Sequence, residues 1–206
     1  MSSELPEGWR VARLCDIARI VTGKTPSTKE PSYWGGSIPF VTPSDITDDP
    51  WLSHVERYVS DDGMKCSSVV PAGSVLFTCI ASIGKSCITD EVSTFNQQIN
   101  ACVPCAEVEA YFLYNALQAL VGEMLDLAGT TAVSIINKST FSKVAIKLPP
   151  LDEQRRIAEV LRSVDEAITT HTQLIGAGGN GDVGALQTLK WALMSDLLSG
   201  LVRVPA

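Results

Sequence analysis

Leu148-Pro-Pro-Leu-Asp-Glu-Gln-Arg-Arg-Ile-Ala-Glu-Val-Leu161 divides the chain into two textures. A Pro-Pro pair cannot continue a helix and holds the residue before it extended. Beyond it, Asp152 to Ile175 contains neither Gly nor Pro, and Asp152-Glu153 puts negative charge where a helix N-terminus favours it. Ile157, Val160, Val164, Ala167, His171 and Leu174 recur in steps of three and four, with Leu161 and Ile168 beside them. That is an a/d seam over about three heptads. A helix over this stretch extends about 36 Å, long for a small globule. His171 within the seam reads as a tolerated polar residue or as a determinant of register or partner.

Downstream, residues 176–184 (Gly-Ala-Gly-Gly-Asn-Gly-Asp-Val-Gly) predict a break. A second amphipathic segment follows, with Leu186, Leu189, Leu193 and Leu197 on one stripe and Trp191, Met194 and Leu198 beside it. These are helices that pack against the rest of the chain, each other or another chain. Upstream, the first 150 residues are a mixture of short elements. Ile38–Thr42, Ser74–Ile80, Ser86–Ile88 and Gln98–Val103 are β-prone runs bounded by Gly, Pro, Ser and Asp. Val144, Ile146 and Leu148 alternate with Lys143, Ala145 and Lys147, as in a half-buried strand. Val108–Val121 places Ala110, Leu113, Leu117 and Leu120 at helical spacing. The expected fold class is α+β: a compact mixed domain over 1–150, then long amphipathic helices over 151–206 forming a coiled-coil-like spacer.

At 206 residues and 45% hydrophobic, the chain is too apolar to be disordered. Its longest apolar patch, around Val75 to Ile83, is interrupted by Thr78, Cys79 and Ser82 and is about half the ~20 residues that span a bilayer. Met1-Ser2-Ser3-Glu4 does not resemble a signal peptide, so a soluble cytoplasmic protein without membrane contact is expected. The net charge of −7 argues against nucleic acid only as a sum. Residues 45–62 alone carry −5, from six acids against Arg57, and the rest of the first 150 residues is neutral. From Leu127 to Leu151 there is no acid but three lysines, Lys138, Lys143 and Lys147.

The catalytic motifs are thin. Ala18-Arg-Ile-Val-Thr-Gly-Lys-Thr25 and Cys79-Ile-Ala-Ser-Ile-Gly-Lys-Ser86 approximate phosphate loops without the first glycine, and Pro26 follows the former at once. A phosphate loop needs a helix to begin there. Gly176 to Gly181 spells GxGxxG after a helix rather than a strand, which makes it a turn. Cys102-Val-Pro-Cys105 has no second pair and no histidine near it, so the cysteines read as reduced, small apolar groups and no metal site is expected. The acids of 45–62 read as a solvated loop face.

An ordered series of segments resembles the specificity subunit of type I restriction–modification enzymes over nearly the whole chain. It runs through Leu5-Pro-Glu-Gly-Trp9, Leu14-Cys-Asp-Ile17, Gly23-Lys-Thr-Pro-Ser27, Ile38-Pro-Phe-Val41, Ser44-Asp-Ile46, Gly73-Ser-Val-Leu-Phe77, Ser82-Ile-Gly-Lys85 and Phe95-Asn-Gln-Gln98. The junction 148–161 resembles the family's passage from target recognition domain into its long helix. Leu186-Gln-Thr-Leu-Lys190, Leu197-Leu-Ser-Gly200 and Val202-Arg-Val204 resemble the end of that helix.

The resemblance implies a non-catalytic subunit that reads half of a split target in double-stranded DNA. It also implies docking to DNA adenine methyltransferase subunits and, through them, to a motor and nuclease restriction subunit. No cofactor is expected on this chain, and S-adenosylmethionine belongs to the methyltransferase partner. DNA contacts are expected on loops: at Lys24, Thr25, Ser27, Thr28, Lys29, Tyr33 and Ser44, at Thr78, Ser82 and Lys85, at Asn96, Gln97 and Gln98, and at Thr130, Thr131 and Lys138. The competing structural roles are backbone satisfaction for Asn96 and Gln97, turns at Gly23 and Gly84, and capping at Thr130-Thr131. Family members commonly carry two recognition domains and two helical regions, whereas one of each is present here. That implies a half-size subunit paired through Ile157, Val160, Leu161, Val164, Ile168, His171, Leu186, Leu189, Leu193 and Leu197 into a homodimer, with a palindromic interrupted target. The alternative is a truncated helical module that occupies partner subunits without reading DNA.

Overall fold

A computed structural model of the chain describes residues 5–128, 134–175 and 180–204. It divides into two units: residues 12–146, and the residues up to Val11 together with those from Lys147 onward. In chain order the elements begin with β1 (Arg10–Arg13), α1 (Leu14–Ile17), β2 (Ala18–Thr22), a 3-10 turn (Pro31–Tyr33), β3 (Trp34–Val41) and β4 (Tyr58–Val59). They continue with α2 (Asp61–Lys65), β5 (Val69–Val70), β6 (Val75–Thr78), β7 (Ser86–Ile88), β8 (Ser93–Phe95) and β9 (Ile99–Pro104). The last are α3 (Ala110–Ala119), α4 (Val121–Ala128), α5 (Lys138–Ser142), β10 (Ala145–Leu148), α6 (Leu151–Ile175) and α7 (Asn180–Ser199). The fold is α+β, as the sequence predicts.

In the unit of residues 12–146, two four-stranded sheets form, in the orders β2-β9-β6-β7 and β4-β3-β8-β5. Every pairing in the first is antiparallel, while β3 and β8 run parallel. Strand β6, Val75-Leu76-Phe77-Thr78, is buried at every position, because both faces of its sheet are covered. Leu76 joins the core of Val41, Ile46, Phe95, Ile99 and Ala101, drawn from both sheets. Phe77, on the opposite face by the two-residue period of a strand, stacks on Phe141 of α5 with ring centroids 5.3 Å apart. Helix α3 packs on β6 and β7 and buries Tyr111, Phe112, Leu113 and Leu117. Strand β10 buries Ile146 and Leu148 and exposes Ala145 and Lys147, the expected alternation.

In the other unit, α6 and α7 pack antiparallel against each other. Ile157, Ala158, Leu161, Met194 and Leu197 are buried, and Val160, Val164, Ile168, His171, Leu186 and Leu193 are half-buried. Lys190 pairs with Asp165 at 2.6 Å, both nearly enclosed. Of the expected stripe, Leu186, Leu193 and Leu197 face the packed side, and Leu189 is left 50% exposed. The predicted break at 176–184 is also shorter than expected: α7 already begins at Asn180 and runs through Gly181 and Gly184. A helical glycine costs about 1 kcal/mol, which packing against α6 offsets. Gly176 to Gly179 lie outside the described residues.

The same unit holds the N-terminal segment. Glu153, buried on the first turn of α6, accepts from the Trp9 indole at 3.1 Å and from Arg203 through Nε at 2.5 Å and Nη2 at 2.8 Å. Gly200 sits at φ +79°, and a Cβ there would overlap Pro6. No helix among the described residues is long and apolar enough to cross a membrane.

Candidate nucleic-acid interface

Where β2 ends, its ladder with β9 gives way to a loop held by two further backbone bonds, Gly23 N–H to the Ile99 carbonyl and Lys24 N–H to the Phe95 carbonyl, both 3.0 Å. A side chain at position 23 would overlap the Asn96 carbonyl, so glycine is required by close approach. The loop that follows presents Lys24, Ser27, Thr28 and Lys29 to solvent. Thr25 donates to Gln97 Oε1 at 2.7 Å, which ties this loop to the β8–β9 turn. Within that turn Asn96 Nδ2 donates to Gln98 Oε1, and Gln98 N–H donates to Asn96 Oδ1, both 3.0 Å. Gln97 is the exposed member. Tyr33 is half-buried in the 3-10 turn; Ser44 is exposed, with its hydroxyl 2.8 Å from that of Thr42.

The chain of contacts continues. Cys79 N–H donates to the Gln98 carbonyl (2.8 Å), Ile136 N–H to the Cys79 carbonyl (2.9 Å) and Ala81 N–H to the Ser134 carbonyl (3.1 Å). Loops distant in sequence, 23–29, 78–85, 96–98 and 134–138, are thereby stitched into one edge of the unit. Lys138, exposed, opens α5, whose N-cap Asn137 accepts from Thr140 N–H at 2.9 Å. Ser82 is exposed. Thr130 and Thr131 lie outside the described residues.

Two of the expected contact residues make structural hydrogen bonds. Thr78 is buried; its hydroxyl donates to the Ser82 carbonyl and accepts from Lys85 N–H at 3.0 Å. The turn it closes is tight, with Ala81 at φ +63° and Gly84 at φ +102°, so an acceptor-rich turn interior consumes the hydroxyl. Lys85, although exposed, directs its ammonium to the carbonyls of Pro43 and Ile46, each 3.3 Å away, and so anchors the loop that carries Ser44.

The acidic stretch also departs from a purely solvated face. Asp45 accepts from Thr42 N–H at 2.7 Å and Glu56 N–H at 3.0 Å, and Asp49 accepts from Trp51 N–H at 2.9 Å. Its carboxylates are building turns. Arg57, the lone base of that stretch, lies over Trp34 with its guanidinium carbon 3.6 Å from the ring centroid. Trp34 in turn donates its indole N–H to the Ser27 carbonyl at 3.1 Å, which joins the pair to the 23–29 loop. Neither residue was among the expected contacts.

The weak motifs resolve as strands and turns. Ala18–Thr22 is β2 and no helix follows Gly23, while Cys79–Ser86 is the turn between β6 and β7. Cys102 is buried in β9 and Cys105 is exposed. Burial pushes the Cys79 thiol to about 11 and the Cys87 thiol to about 12, and it raises Cys102 as well. These are poor nucleophiles and ligands. No group of acids, histidines and cysteines suited to a metal ion occurs among the described residues.

Residues 6–176 match the family described as the type I restriction modification DNA specificity domain. The chain belongs to this family. The curated relatives that it matches are named specificity subunits. It is 34% identical over 171 residues to the type I restriction enzyme MjaIX specificity subunit of Methanocaldococcus jannaschii, covering 80% of this chain and 40% of that one. It is 35% identical over 150 residues to the HindI specificity subunit of Haemophilus influenzae, covering 70% and 33%. The fold resembles the HsdS subunit from Thermoanaerobacter tengcongensis, with a TM-score of 0.68 at 24% identity over 98% of this chain and 47% of that one. This specificity chain thus spans less than half the length of these relatives.

Proposed function

We propose that this specificity chain reads one half of a bipartite target in double-stranded DNA through the edge formed by loops 23–29, 78–85, 96–98 and 134–138. Its helical unit docks the DNA adenine methyltransferase subunits, which bind S-adenosylmethionine, and through them the restriction subunit. Two copies pair through their C-terminal helices and address a palindromic, interrupted site. The observation that carries this reading is the backbone stitching of distant loops into one exposed edge bearing Lys24, Lys29, Lys138, Ser82 and Gln97. Lysines position the duplex through its phosphates, and amides and hydroxyls address base edges. Pairing through α7 is supported by Leu189 and Trp191, 50% and 54% exposed.

The test is reconstitution with the methyltransferase subunits and S-adenosylmethionine, followed by sequencing of the methylated adenines. A split, specific motif is expected only when this chain is present, and an unchanged pattern without it overturns the assignment. Sedimentation of the full chain tests the pairing, which fails if the mass is that of one copy at every concentration. The exposed apolar residues on α7 also favour a second reading, a helical module that binds partner subunits without contacting DNA. Changing Lys24, Lys29 and Lys138 together to Glu separates the two, because DNA affinity collapses only under the first and partner binding persists under both.

A further inference from the structure

We propose that Arg57 is a base-reading residue, held on the face of Trp34 to present its guanidinium to a guanine of the target. The inference rests on the DNA-reading function above and adds a specificity determinant to it.

Trp34 is built to be a fixed platform. Strand β3 carries a bulge between Trp34 and Ile38, both of which register on Val59 of β4. Gly35 within it sits at φ +81°, and a side chain at Gly36 would overlap the Val59 carbonyl. A bulge re-aims the side chain at its edge. The indole is then held on three sides: its N–H by the Ser27 carbonyl, its edge by Phe40 at 5.1 Å and 86°, and its face by Arg57. Phe40 is itself buried, so the platform is anchored in the core. The position of Arg57 is fixed from the backbone too, since its carbonyl accepts from Phe40 N–H at 2.9 Å.

The guanidinium is, by contrast, uncommitted. It is exposed and lies in a stretch with six acids, yet among the described residues it makes no ion pair or side-chain hydrogen bond. Of the acids in that stretch, Asp45 and Asp49 accept from backbone N–H groups and Asp62 pairs with Lys65 at 2.8 Å. Stacking on the ring face leaves the N–H fork at the edge of the guanidinium free. That fork matches the O6 and N7 acceptors of guanine in the major groove, and a cation already immobilised loses little entropy on contact. The Ser27 bond places the platform beside the 23–29 loop. A phosphate would satisfy the same fork, and the two sources differ in what they do to the sequence preference.

The experiment uses the full chain assembled with its methyltransferase subunits to select sites from randomised duplex DNA. Arg57→Ala is expected to relax one G·C position per half-site by about 5- to 150-fold and to leave the other positions intact. Arg57→Lys, which keeps the charge but not the fork, relaxes the same position with an unchanged salt slope. Trp34→Phe retains a stacking face and the motif. The proposal is overturned if Arg57→Ala selects the wild-type motif, whether affinity falls uniformly, as for a phosphate contact, or does not fall, as for a surface stack. If the wild-type assembly itself selects no motif, the DNA-reading function fails as well, so the two failures are distinguishable.

Discussion

The carboxylate of Glu153 accepts the indole N–H of Trp9 at 3.1 Å, across 144 positions of sequence. Arg203 closes the same carboxylate from the other side, so one buried acid joins the N-terminal segment, the start of α6 and the chain beyond α7. The Glu153 side chain is 3% exposed and that of Arg203 is 44%, which makes the two partners unequal. Removing Arg203 leaves a buried charge with a single donor; neutralising Glu153 leaves a cation that still reaches water. Arg203→Ala should therefore lower the urea midpoint further than Glu153→Gln, which keeps the Trp9 bond.

Lysines on the candidate interface should separate into two kinds. Lys24→Glu removes an exposed charge that has no side-chain partner among the described residues, so stability should change by less than about 0.5 kcal/mol, while the slope of log affinity against log salt flattens by about one unit. Lys85→Ala instead frees the Pro43 and Ile46 carbonyls and should lower the melting temperature by a few degrees. Equal melting behaviour in the two variants would contradict an anchoring role for Lys85.

Gly23 should be intolerant although it offers DNA nothing. In Gly23→Ala the new methyl meets the Asn96 carbonyl, and relief requires the 23–29 loop and the 95–98 turn to separate. A loss of about 1–3 kcal/mol is expected in thermal unfolding, together with weakened DNA binding.

Thiol chemistry offers a fourth check. At pH 8 a thiol reagent should modify Cys15 and Cys105 rapidly, since both are exposed, and reach Cys79, Cys87 and Cys102 only after denaturation. Burial holds the proton on Cys79 up to about 11, above the unfolded thiol near 8.5. That contribution to stability is present in full below pH ~8.5 and is lost as pH rises toward about 11. Alkaline destabilisation over this window should shrink in Cys79→Ala relative to its own value at pH 7.

The helical part of the fold was legible because its signal is local. An uninterrupted run from Asp152 to Ile175 has only one way to bury a 3.6-residue stripe, and α6 begins one residue earlier. Strands β4, β5 and β8 were not legible. They have two or three residues each and exist because a neighbour supplies their hydrogen bonds. Residue types singled out the loops of the candidate edge but not the hydrogen bonds of Thr78 and Lys85, because whether a hydroxyl or ammonium faces solvent or a carbonyl is decided by turn geometry. Arg57 and Trp34 were missed because the β3–β4 pairing, not sequence spacing, brings them together. The available hints were a single base in an acidic run and a Trp followed by two glycines.

The pairing of β1 with β10 brings the two ends of the larger unit together. The unit of residues 12–146 is entered within β1 and left within β10, so its two ends are hydrogen-bonded neighbours. A segment whose ends meet behaves as a cassette, since a replacement of any internal design need only present two adjoining strand ends. The Trp9–Glu153–Arg203 clasp contributes no residue to that segment. A chain in which residues 12–146 are replaced by another segment with adjoining strand ends should therefore keep the clasp and the α6–α7 pair folded.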